Sequence, residues 1–364
     1  MKSQKTRKGS NRLQDNKAEE AQYIADAAGL DFTPEEAHAR EVSPISNGGD
    51  DPALRPPGLD DFTGQQHIRD ILKVSISGAR GRGEVIEHIL LYGPPGLGKT
   101  TLAQIIHTEM QQGGSFRPLS APTLQKPYDL ASILVTIAKG DVLFLDEIHR
   151  LHPSMAELLY GAMEDFRIDI PVGEGGRARD VSITLPKFTL IGATTRSGVL
   201  PRPFRDRFGL DLRLEPYSNE ELASIALRSA RLLGLEMEAG VEMDLARRSR
   251  GTPRIINRLV RRLRDGVAHH GTQVATHEIA QQTFARLRID DQGLDEADRL
   301  YLECLTNRFR GGPAGIEALA AALGEEVRTL EDEIEPWLLR CGLIERTRMG
   351  RILSSKRGTQ DSLL

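Results

Sequence analysis

The segment GPPGLGKT, residues 93–100, decides the fold of this chain. It fits the phosphate-loop pattern G-x-x-x-x-G-K-[ST], and it stands after the apolar run HILLY and before the amphipathic segment TLAQIIHTEM. The apolar run is typical of a buried strand, and the segment after the loop is typical of a helix. In this context the loop amides and the helix N-terminus bind phosphate oxygens. The segment therefore predicts a nucleotide-binding α/β domain.

Each polar residue of the loop has an expected task. Lys99 would reach the β- and γ-phosphates, and Thr100 would bind Mg²⁺. Thr101 could bond a further phosphate oxygen, while Gly96 and Gly98 leave room for the phosphates to approach. The alternative is a glycine-rich turn with a surface lysine, which the flanking strand and helix make the weaker interpretation.

A second apolar run, VLFLDE at 142–147, ends in two carboxylates. Asp146 would hold the Mg²⁺ shell, and Glu147 would orient or deprotonate the attacking water. A strand that ends in Asp-Glu is a weak signal by itself and a strong one downstream of a phosphate loop. His149 and His152 follow at once, and because further soft ligands are lacking, we interpret them as helix-start residues and not as a metal site.

A third apolar run, LIGATTR at 190–196, also ends in polar residues. The carboxyl ends of parallel strands lie at one edge of a sheet, so Thr194 or Thr195 would emerge on the same edge as Asp146. A hydroxyl there could sense the γ-phosphate or its water. The alternative is an ordinary threonine at a strand end.

Length and composition limit the class of protein. A chain of 364 residues suggests two or three domains, and 39% hydrophobic with 27% charged residues is typical of a soluble globular protein. No apolar run approaches the roughly 20 residues that span a bilayer, and the basic start lacks the apolar stretch of a secretory signal. Cys304 and Cys341 are too few for a disulfide framework or a four-ligand zinc site. We therefore expect a reducing, cytoplasmic location.

The charge is unevenly distributed. The net charge of -4 means that any contact with nucleic acid must come from a local patch. Residues 340–357 hold six basic residues against one acidic residue, Glu345. A basic tail of this kind is often a solvated terminus, but here it follows helical segments and forms a ribbon-like pattern, a combination that resembles a winged helix.

Alternation of apolar strands with amphipathic helices, starting near Asp60, predicts a largely parallel sheet with helices on both faces. A glycine-rich turn between two strand-like arms predicts a hairpin inserted into this α/β core. Further on, Ser218 and Glu221 form a capping-box pattern that begins an all-helical region. We expect a disordered polar extension at 1–53, an α/β ATPase domain at 54–215 with the inserted hairpin at 167–185, a small helical domain at 216–290 and a winged helix at 291–364.

Taken in order, these motifs resemble those of AAA+ ATPases, and more closely the RuvB family, the motors of Holliday junction branch migration. The resemblance covers about residues 54–358. The segments that carry it are LRPPGLDDFTGQ, LLYGPPGLGKTTLA, FLDEIHRL, MEDFRIDIPVGEG, LPKFTLIGATTRSG, RDRFG, RGTPRIINRL and GLIERTRMGR.

The resemblance implies a set of nucleotide contacts beyond the phosphate loop. Arg254, at the start of a lid helix, matches a second sensor that reaches the γ-phosphate, with a salt bridge on the lid surface as the alternative. Together with the loop residues Gly96, Gly98, Lys99, Thr100 and Thr101 and with Thr195 from the third strand end, the full set of expected nucleotide contacts adds Leu54, Arg55, Glu164, Asp165, Phe166, Arg207, Tyr217 and Arg254 from the resemblance.

Two arginines in PFRDRFGLDL, residues 203–212, form a surface ion pair or a helix end in the simplest interpretation. The resemblance instead matches Arg207 to the arginine finger, which enters a neighbouring subunit's site and can be worth about 10³ to 10⁵ in rate. Arg205 is the weaker candidate, and whether it assists stays open. The resemblance implies a homohexameric ring around duplex DNA.

The resemblance also implies partners. The inserted hairpin matches the surface that binds RuvA, the protein that holds the junction, through Ile168, Ile170, Pro171 and Val172. The alternative is a hairpin folded back onto its own sheet. RuvC, the resolvase, is a further candidate partner.

In the winged helix, Arg346 and Arg351 would contact DNA phosphates without reading the base sequence. The chain has Val327 where relatives can have an arginine, with Arg328 beside it, so that contact stays unassigned.

The function implied is an ATP hydrolase coupled to DNA translocation in recombination and repair. One alternative is an AAA+ clamp loader, which would not be expected to have this basic winged helix. The other is a winged-helix regulator with a degenerate nucleotide domain, which an intact set of Lys99, Asp146, Glu147 and Arg207 argues against.

Overall fold

The computed structural model describes residues 52–111, 113–172 and 179–354, with the backbone alone at 170–172 and 179–180. The chain divides into two compact units, with the boundary between Tyr217 and Ser218. Almost all of the predicted extension at 1–53 and the end of the basic tail lie outside the described residues.

The first unit is built on a parallel sheet. Its strands are β1 (Ile89–Tyr92), β2 (Phe116–Ser120), β3 (Val142–Asp146), β6 (Thr189–Thr194) and β7 (Leu210–Arg213), while β4 (Arg167–Val172) and β5 (Arg179–Thr184) form a separate hairpin. The five strands lie in the order β2-β3-β6-β1-β7, and every neighbouring pair is parallel. The central strand β6 is buried along its whole length, as expected for apolar strands of a parallel sheet.

Helices of the first unit follow the strands as the alternating pattern predicted. They are α1 (Gln66–Arg82), α2 (Lys99–Met110), α3 (Pro127–Val135), α4 (Pro153–Glu164) and the short α5 (Arg202–Arg205). A core of buried residues joins the sheet to α3 and α4, with Leu143, Leu159 and Phe188 wholly inside it. Burying each such side chain contributes roughly 1.5 to 3 kcal/mol.

The predicted hairpin is present. Strands β4 (Arg167–Val172) and β5 (Arg179–Thr184) pair antiparallel, with Ile168 opposite Ile183. Ile168 is 2% exposed and packs in the core of the first unit. The prediction that Ile168 contacts a partner is therefore wrong, because its side chain anchors the base of the hairpin. The side chains of Ile170, Pro171 and Val172, named in the same prediction, lie outside the described part of the chain.

The second unit begins with the predicted helical region. Its helices are α6 (Asn219–Leu232), α7 (Val241–Arg248), α8 (Pro253–His269) and α9 (His277–Arg286), with short strands β8 (Glu236–Met237) and β9 (Val274–Ala275) paired between them. The predicted capping box is confirmed: the Ser218 hydroxyl accepts from the Glu221 N–H, and the Glu221 carboxylate accepts from the Ser218 N–H.

The rest of the second unit has the predicted winged-helix pattern of helices followed by a hairpin. The helices are α10 (Glu296–Glu303), continued by the π turn Cys304–Arg308, then α11 (Ile316–Leu323), α12 (Val327–Thr329), the π turn Leu330–Ile334 and α13 (Glu335–Arg340). The wing is the antiparallel pair β10 (Ile344–Thr347) and β11 (Gly350–Leu353). The fold class predicted from the sequence is confirmed.

Within the described residues, no helix combines the length and apolar character needed to cross a membrane.

Candidate active site

The phosphate loop joins the end of β1 to the start of α2. Gly93 has φ 143°, and a Cβ there would lie 2.4 Å from the Leu214 carbonyl oxygen, so only glycine fits at this close approach. Lys99 is 8% exposed, and its Nζ donates to the carbonyl oxygens of Gly93 at 2.8 Å and Pro94 at 2.9 Å. The ammonium group is therefore held inside the loop, where a bound phosphate would replace the carbonyl oxygens as its acceptor.

The ends of three strands meet beside this loop. Thr194 at the end of β6 is opposite Tyr92 at the end of β1, and the Gly93 N–H donates to the Thr194 carbonyl oxygen at 3.2 Å. Strand β3 pairs with β6 in the same direction and ends at Asp146. The structure thus places Asp146 and Thr194 at the sheet edge from which the phosphate loop leaves, as the sequence predicted.

Glu147 has an unusual backbone conformation. Its φ of 54° lies in the left-handed region, which costs a non-glycine residue roughly 1 to 3 kcal/mol. Its N–H donates to the Asp146 Oδ1 atom at 2.9 Å, which partly offsets that cost. Strain of this kind clusters at functional sites, and here it lies at the second of two successive carboxylates at the end of β3.

His149 joins Glu147 to the neighbouring strand. Its Nδ1 atom lies 2.9 Å from the Thr194 hydroxyl, and its Nε2 atom lies 3.7 Å from the Glu147 Oε2 atom. The interpretation of His149 as only a helix-start residue missed these contacts, whereas His152 does cap α4, because its Nδ1 atom accepts from the Ser154 N–H. The sequence feature that could have indicated these contacts is the position of His149, two residues after the predicted catalytic carboxylate Glu147.

Arg207 and Arg205 have different surroundings. The Arg207 guanidinium lies 4.4 Å from the centre of the Tyr160 ring, and its Nη2 atom is 2.9 Å from the Glu164 Oε2 atom. Arg205 instead forms an ion pair of 2.6 Å with Asp211, next to it on the surface. The simple ion-pair interpretation of the two arginines therefore fits Arg205, while Arg207 is held by α4.

Other expected nucleotide contacts flank the loop and α2. The Arg55 Nη1 atom donates to Gln104 of α2 at 3.1 Å, and the buried Tyr217 hydroxyl donates to the Leu97 carbonyl oxygen of the loop at 3.2 Å. Leu54 is 2% exposed and Thr195 is half-buried at the end of β6. Arg55 and Tyr217 are thus fixed beside the phosphate loop and α2 by hydrogen bonds.

Glu164 and Asp165 end α4 on the surface, and Phe166 follows with φ 49°. The Phe166 ring packs 6.0 Å from the centres of both the His88 and Phe188 rings. Phe166 therefore turns toward the core, and Glu164 turns toward Arg207.

His88 is a buried titratable group just before β1, at the end of the sheet opposite the phosphate loop. Its Nδ1 atom accepts from the Leu190 N–H at 2.9 Å, which leaves the proton on Nε2 to be donated to the Met163 carbonyl oxygen at 3.1 Å. Burial lowers the pKa of His88 to about 4, despite the opposing effect of the Met163 carbonyl. The neutral imidazole ties the end of α4 to the start of β6.

The two arginines expected to bind DNA face a buried carboxylate. Glu335 is 0% exposed and accepts from Arg346 Nε at 2.8 Å, Arg351 Nε at 2.9 Å and the Tyr301 hydroxyl at 2.8 Å. Arg351 also contacts Glu331, and its side chain is 15% exposed, against 43% for Arg346. The structure therefore gives Arg351 an internal role in holding the wing against α13, and leaves Arg346 the more accessible of the two.

The tip of the wing is more accessible. Arg348 and Met349 lie in the turn between β10 and β11, and Met349 is 79% exposed. Arg348 is the exposed cation closest to this tip, whereas sequence reasoning named only the two strand arginines.

Arg250 joins the helical part of the second unit to the winged helix. It precedes α8 with φ 57°, and its Nη2 atom lies 2.6 Å from Asp298 and 2.8 Å from Asp295. Its Nε atom donates to the Gly293 carbonyl oxygen at 2.8 Å. Arg254, the expected second sensor, lies in the first turn of α8, four residues after this anchor.

Three family models match the sequence in succession. They are the P-loop domain of the Holliday junction DNA helicase RuvB at residues 54–214, the RuvB AAA lid domain at 217–290 and the RuvB C-terminal winged helix domain at 291–359.

Two similar proteins are both called Holliday junction branch migration complex subunit RuvB. The protein of Paramagnetospirillum magneticum is 50% identical over 318 residues, which cover 87% of this chain and 91% of the relative. The protein of Rhodospirillum centenum is 49% identical over 325 residues, which cover 89% of each. A solved structure of Thermotoga maritima RuvB, described as a Holliday junction branch migration motor, is 44% identical with a TM-score of 0.77, and the match covers 86% of this chain and 99% of that one.

Proposed function

The chain belongs to the RuvB family, and from that membership we propose that it is an ATP-driven motor that moves duplex DNA and drives branch migration of Holliday junctions. The observation that supports this most directly is the edge where the phosphate loop, Asp146 and Glu147 come together in the first unit. A RuvB winged-helix match at 291–359 argues against the clamp-loader alternative.

The proposed chemistry is hydrolysis of the γ-phosphate of ATP. Glu147 orients a water and accepts its proton as the water oxygen bonds to the γ-phosphorus, and the bond from that phosphorus to the bridging oxygen breaks. Lys99 stabilises the charge on the β- and γ-phosphates. The remaining nucleotide contacts that we propose in the first unit are Leu54, Arg55, Gly96, Gly98, Thr101, Glu164, Asp165, Phe166, Thr195 and Tyr217, with Arg254 of the second unit as the second sensor.

Mg²⁺ is the proposed metal cofactor. The Thr100 hydroxyl and the Asp146 carboxylate are hard oxygen donors, the type that Mg²⁺ prefers, and both lie where the phosphate loop meets the sheet edge. When bound, Mg²⁺ neutralises charge on the phosphate oxygens. The residues present therefore fit the ion.

A homohexameric ring is the proposed assembly, with Arg207 entering the neighbouring subunit's site. The choice of Arg207 over Arg205 rests on the family match of the RDRFG segment, since both arginines form ion pairs in their own chain, Arg205 with Asp211 of β7 and Arg207 with Glu164 of α4. If each site needs Arg207 from the neighbouring subunit, ATP hydrolysis requires assembly of the ring.

DNA, RuvA and the resolvase RuvC are the proposed partners, in a cytoplasmic protein. For RuvA, the proposed surface is the hairpin β4–β5 with Ile170, Pro171 and Val172, without the buried Ile168. For DNA, the proposed contacts are Arg346 and Arg351 on the wing, to which the exposed Arg348 is added.

The test is ATP-driven branch migration on a synthetic four-way junction, with and without added RuvA. We expect migration that requires ATP and is stimulated by RuvA. A preparation that hydrolyses ATP but migrates no junction under either condition would contradict the proposal. The Lys99→Ala variant serves as the negative control, since it should lose nucleotide binding.

A further inference from the structure

The geometry points to His149 as a positioning residue that holds the Glu147 carboxylate for ATP hydrolysis and links it to Thr194 on β6. This inference deepens the proposed function and rests on it. His149 lies outside the phosphate loop and outside the pair of carboxylates, so the hydrolysis chemistry described above does not use it.

The hydrogen bonds around Thr194 match a His149 tautomer that carries its proton on Nε2. The Thr194 hydroxyl oxygen accepts from the Arg196 N–H at 3.0 Å. The hydroxyl hydrogen can then be donated to the His149 Nδ1 atom, 2.9 Å away. We assign the neutral tautomer that matches this arrangement, with the proton on Nε2, the atom that faces Glu147.

The distance between His149 Nε2 and Glu147 Oε2 is 3.7 Å, longer than a hydrogen bond. Catalytic hydrogen bonds are often long in the absence of substrate and shorten in the substrate complex. His149 is well placed for this, because its side chain is 11% exposed while that of Glu147 is 35% exposed. The histidine is the fixed partner and the carboxylate is the one with room to turn.

Because Thr194 is buried in the sheet, it is the fixed end of the contact between β6 and His149. Thr194 is 0% exposed, and its backbone is part of the sheet beside the phosphate loop. A shift of β6 would therefore move the imidazole, and the imidazole would move the Glu147 carboxylate. His149 thus couples the strand that ends at the expected γ-phosphate sensor to the residue that orients the water.

Three substitutions at His149 separate the two contacts. His149→Asn keeps an amide near the Nδ1 position and can still bond Thr194, but it cannot reach Glu147. His149→Gln places its amide nitrogen near the Nε2 position and retains a donor for Glu147. His149→Phe removes both contacts at similar size.

The readouts are kcat and KM for ATP in the presence of DNA, with equilibrium binding of a fluorescent ATP analogue. We expect His149→Phe and His149→Asn to lower kcat by roughly 10- to 100-fold, as is typical when a partner that orients a working group is lost, with analogue affinity within about twofold of wild type. His149→Gln should recover part of kcat. Thr194→Val should lower kcat less, and adding it to His149→Phe should produce little further loss, because both remove one link.

His152→Asn is the matched control, since His152 lies on the same segment but caps α4, and its kcat should stay close to wild type. The inference is overturned if His149→Phe and His149→Asn, folded by circular dichroism, keep wild-type kcat, or if analogue affinity falls in parallel with kcat. Failure of the proposed function is distinguishable, because it appears as ATP hydrolysis without migration of a four-way junction, whereas an inactive Glu147→Gln beside fully active His149 variants would contradict only the role of His149.

Discussion

Arg207 forms an ion pair with Glu164 of its own chain, with the Arg207 Nη2 and Glu164 Oε2 atoms 2.9 Å apart. Its Nη1 atom donates to the Pro203 carbonyl oxygen at 2.6 Å, and the guanidinium lies over the Tyr160 ring. The arginine proposed to serve a neighbouring subunit is therefore already engaged within its own. A phosphate in the neighbouring site has to compete with the Glu164 carboxylate for it.

The role of Arg207 in trans is tested by mixing two inactive variants. Arg207→Ala subunits have intact phosphate loops, and Lys99→Ala subunits have intact fingers. Each variant alone should lose about 10³- to 10⁵-fold in turnover, and the mixture should recover activity, because an intact finger then meets an intact loop. Phosphate release measures the recovery, and mixed rings that form without recovering activity would argue for action within one subunit.

Glu147→Gln should bind ATP normally and fail to turn it over. The amide has the size of the carboxylate but cannot accept a proton from water. Equilibrium binding and phosphate release measure the two properties separately. Glu157→Gln, an exposed position on α4, is the control and should behave as wild type. Normal turnover in Glu147→Gln would remove Glu147 from the mechanism.

Stability of the first unit should fall as the pH drops from about 6.5 to about 4. His88 has a folded pKa of about 4 against an ordinary value of 6.5, so the unfolded chain binds the proton first, and the full stability is present only above about pH 6.5. The maximum contribution of such a shift is about 3 kcal/mol.

The measurement is the urea midpoint by circular dichroism at pH 7 and pH 5. In His88→Gln the midpoint should fall less between the two pH values than in wild type, although the variant starts from a lower stability. His152→Gln, an exposed histidine, should reproduce the wild-type fall. An equal fall in His88→Gln would mean that His88 does not determine this pH dependence.

Arg351 and Arg348 should behave differently although both lie on the wing. Arg351→Ala leaves the buried Glu335 short of a partner, and breaking a buried pair in this way typically costs about 3 to 5 kcal/mol. It should lower the thermal stability of the winged helix. Arg348→Ala should leave stability unchanged and lower DNA affinity, with the slope of log affinity against log salt concentration reduced by about one.

Thermal unfolding and DNA binding at several salt concentrations check both variants. Loss of DNA affinity in Arg351→Ala without loss of stability would assign Arg351 to direct phosphate contact. An unchanged salt slope in Arg348→Ala would remove the wing tip from the DNA interface.

The residues at the edge of the sheet beside the phosphate loop could be predicted because each lies close in sequence to an apolar strand. The phosphate loop, the two carboxylates after β3 and the polar end of β6 each lie within a few residues of an apolar strand, and parallel pairing places such strand ends together. The capping box at Ser218 was predictable for the same reason.

Contacts between distant residues were not predictable. His149 and Thr194 are 45 residues apart, and nothing in either segment indicates the other. The basic pattern of the wing correctly indicated a charged hairpin, but it could not reveal that Glu335, on a separate helix, accepts from Arg346 and Arg351. Likewise, the alternating sequence pattern of the inserted hairpin did not show that the Ile168 side chain packs into the core.

Arg250 holds two parts of the second unit together. Its bonds to Gly293, Asp295 and Asp298 fasten the turn before α8 to the first residues of the winged helix. If α8 rotates while these bonds stay intact, the start of the winged helix rotates with it. The helical part that contains Arg254 and the winged helix are therefore expected to move as a single body.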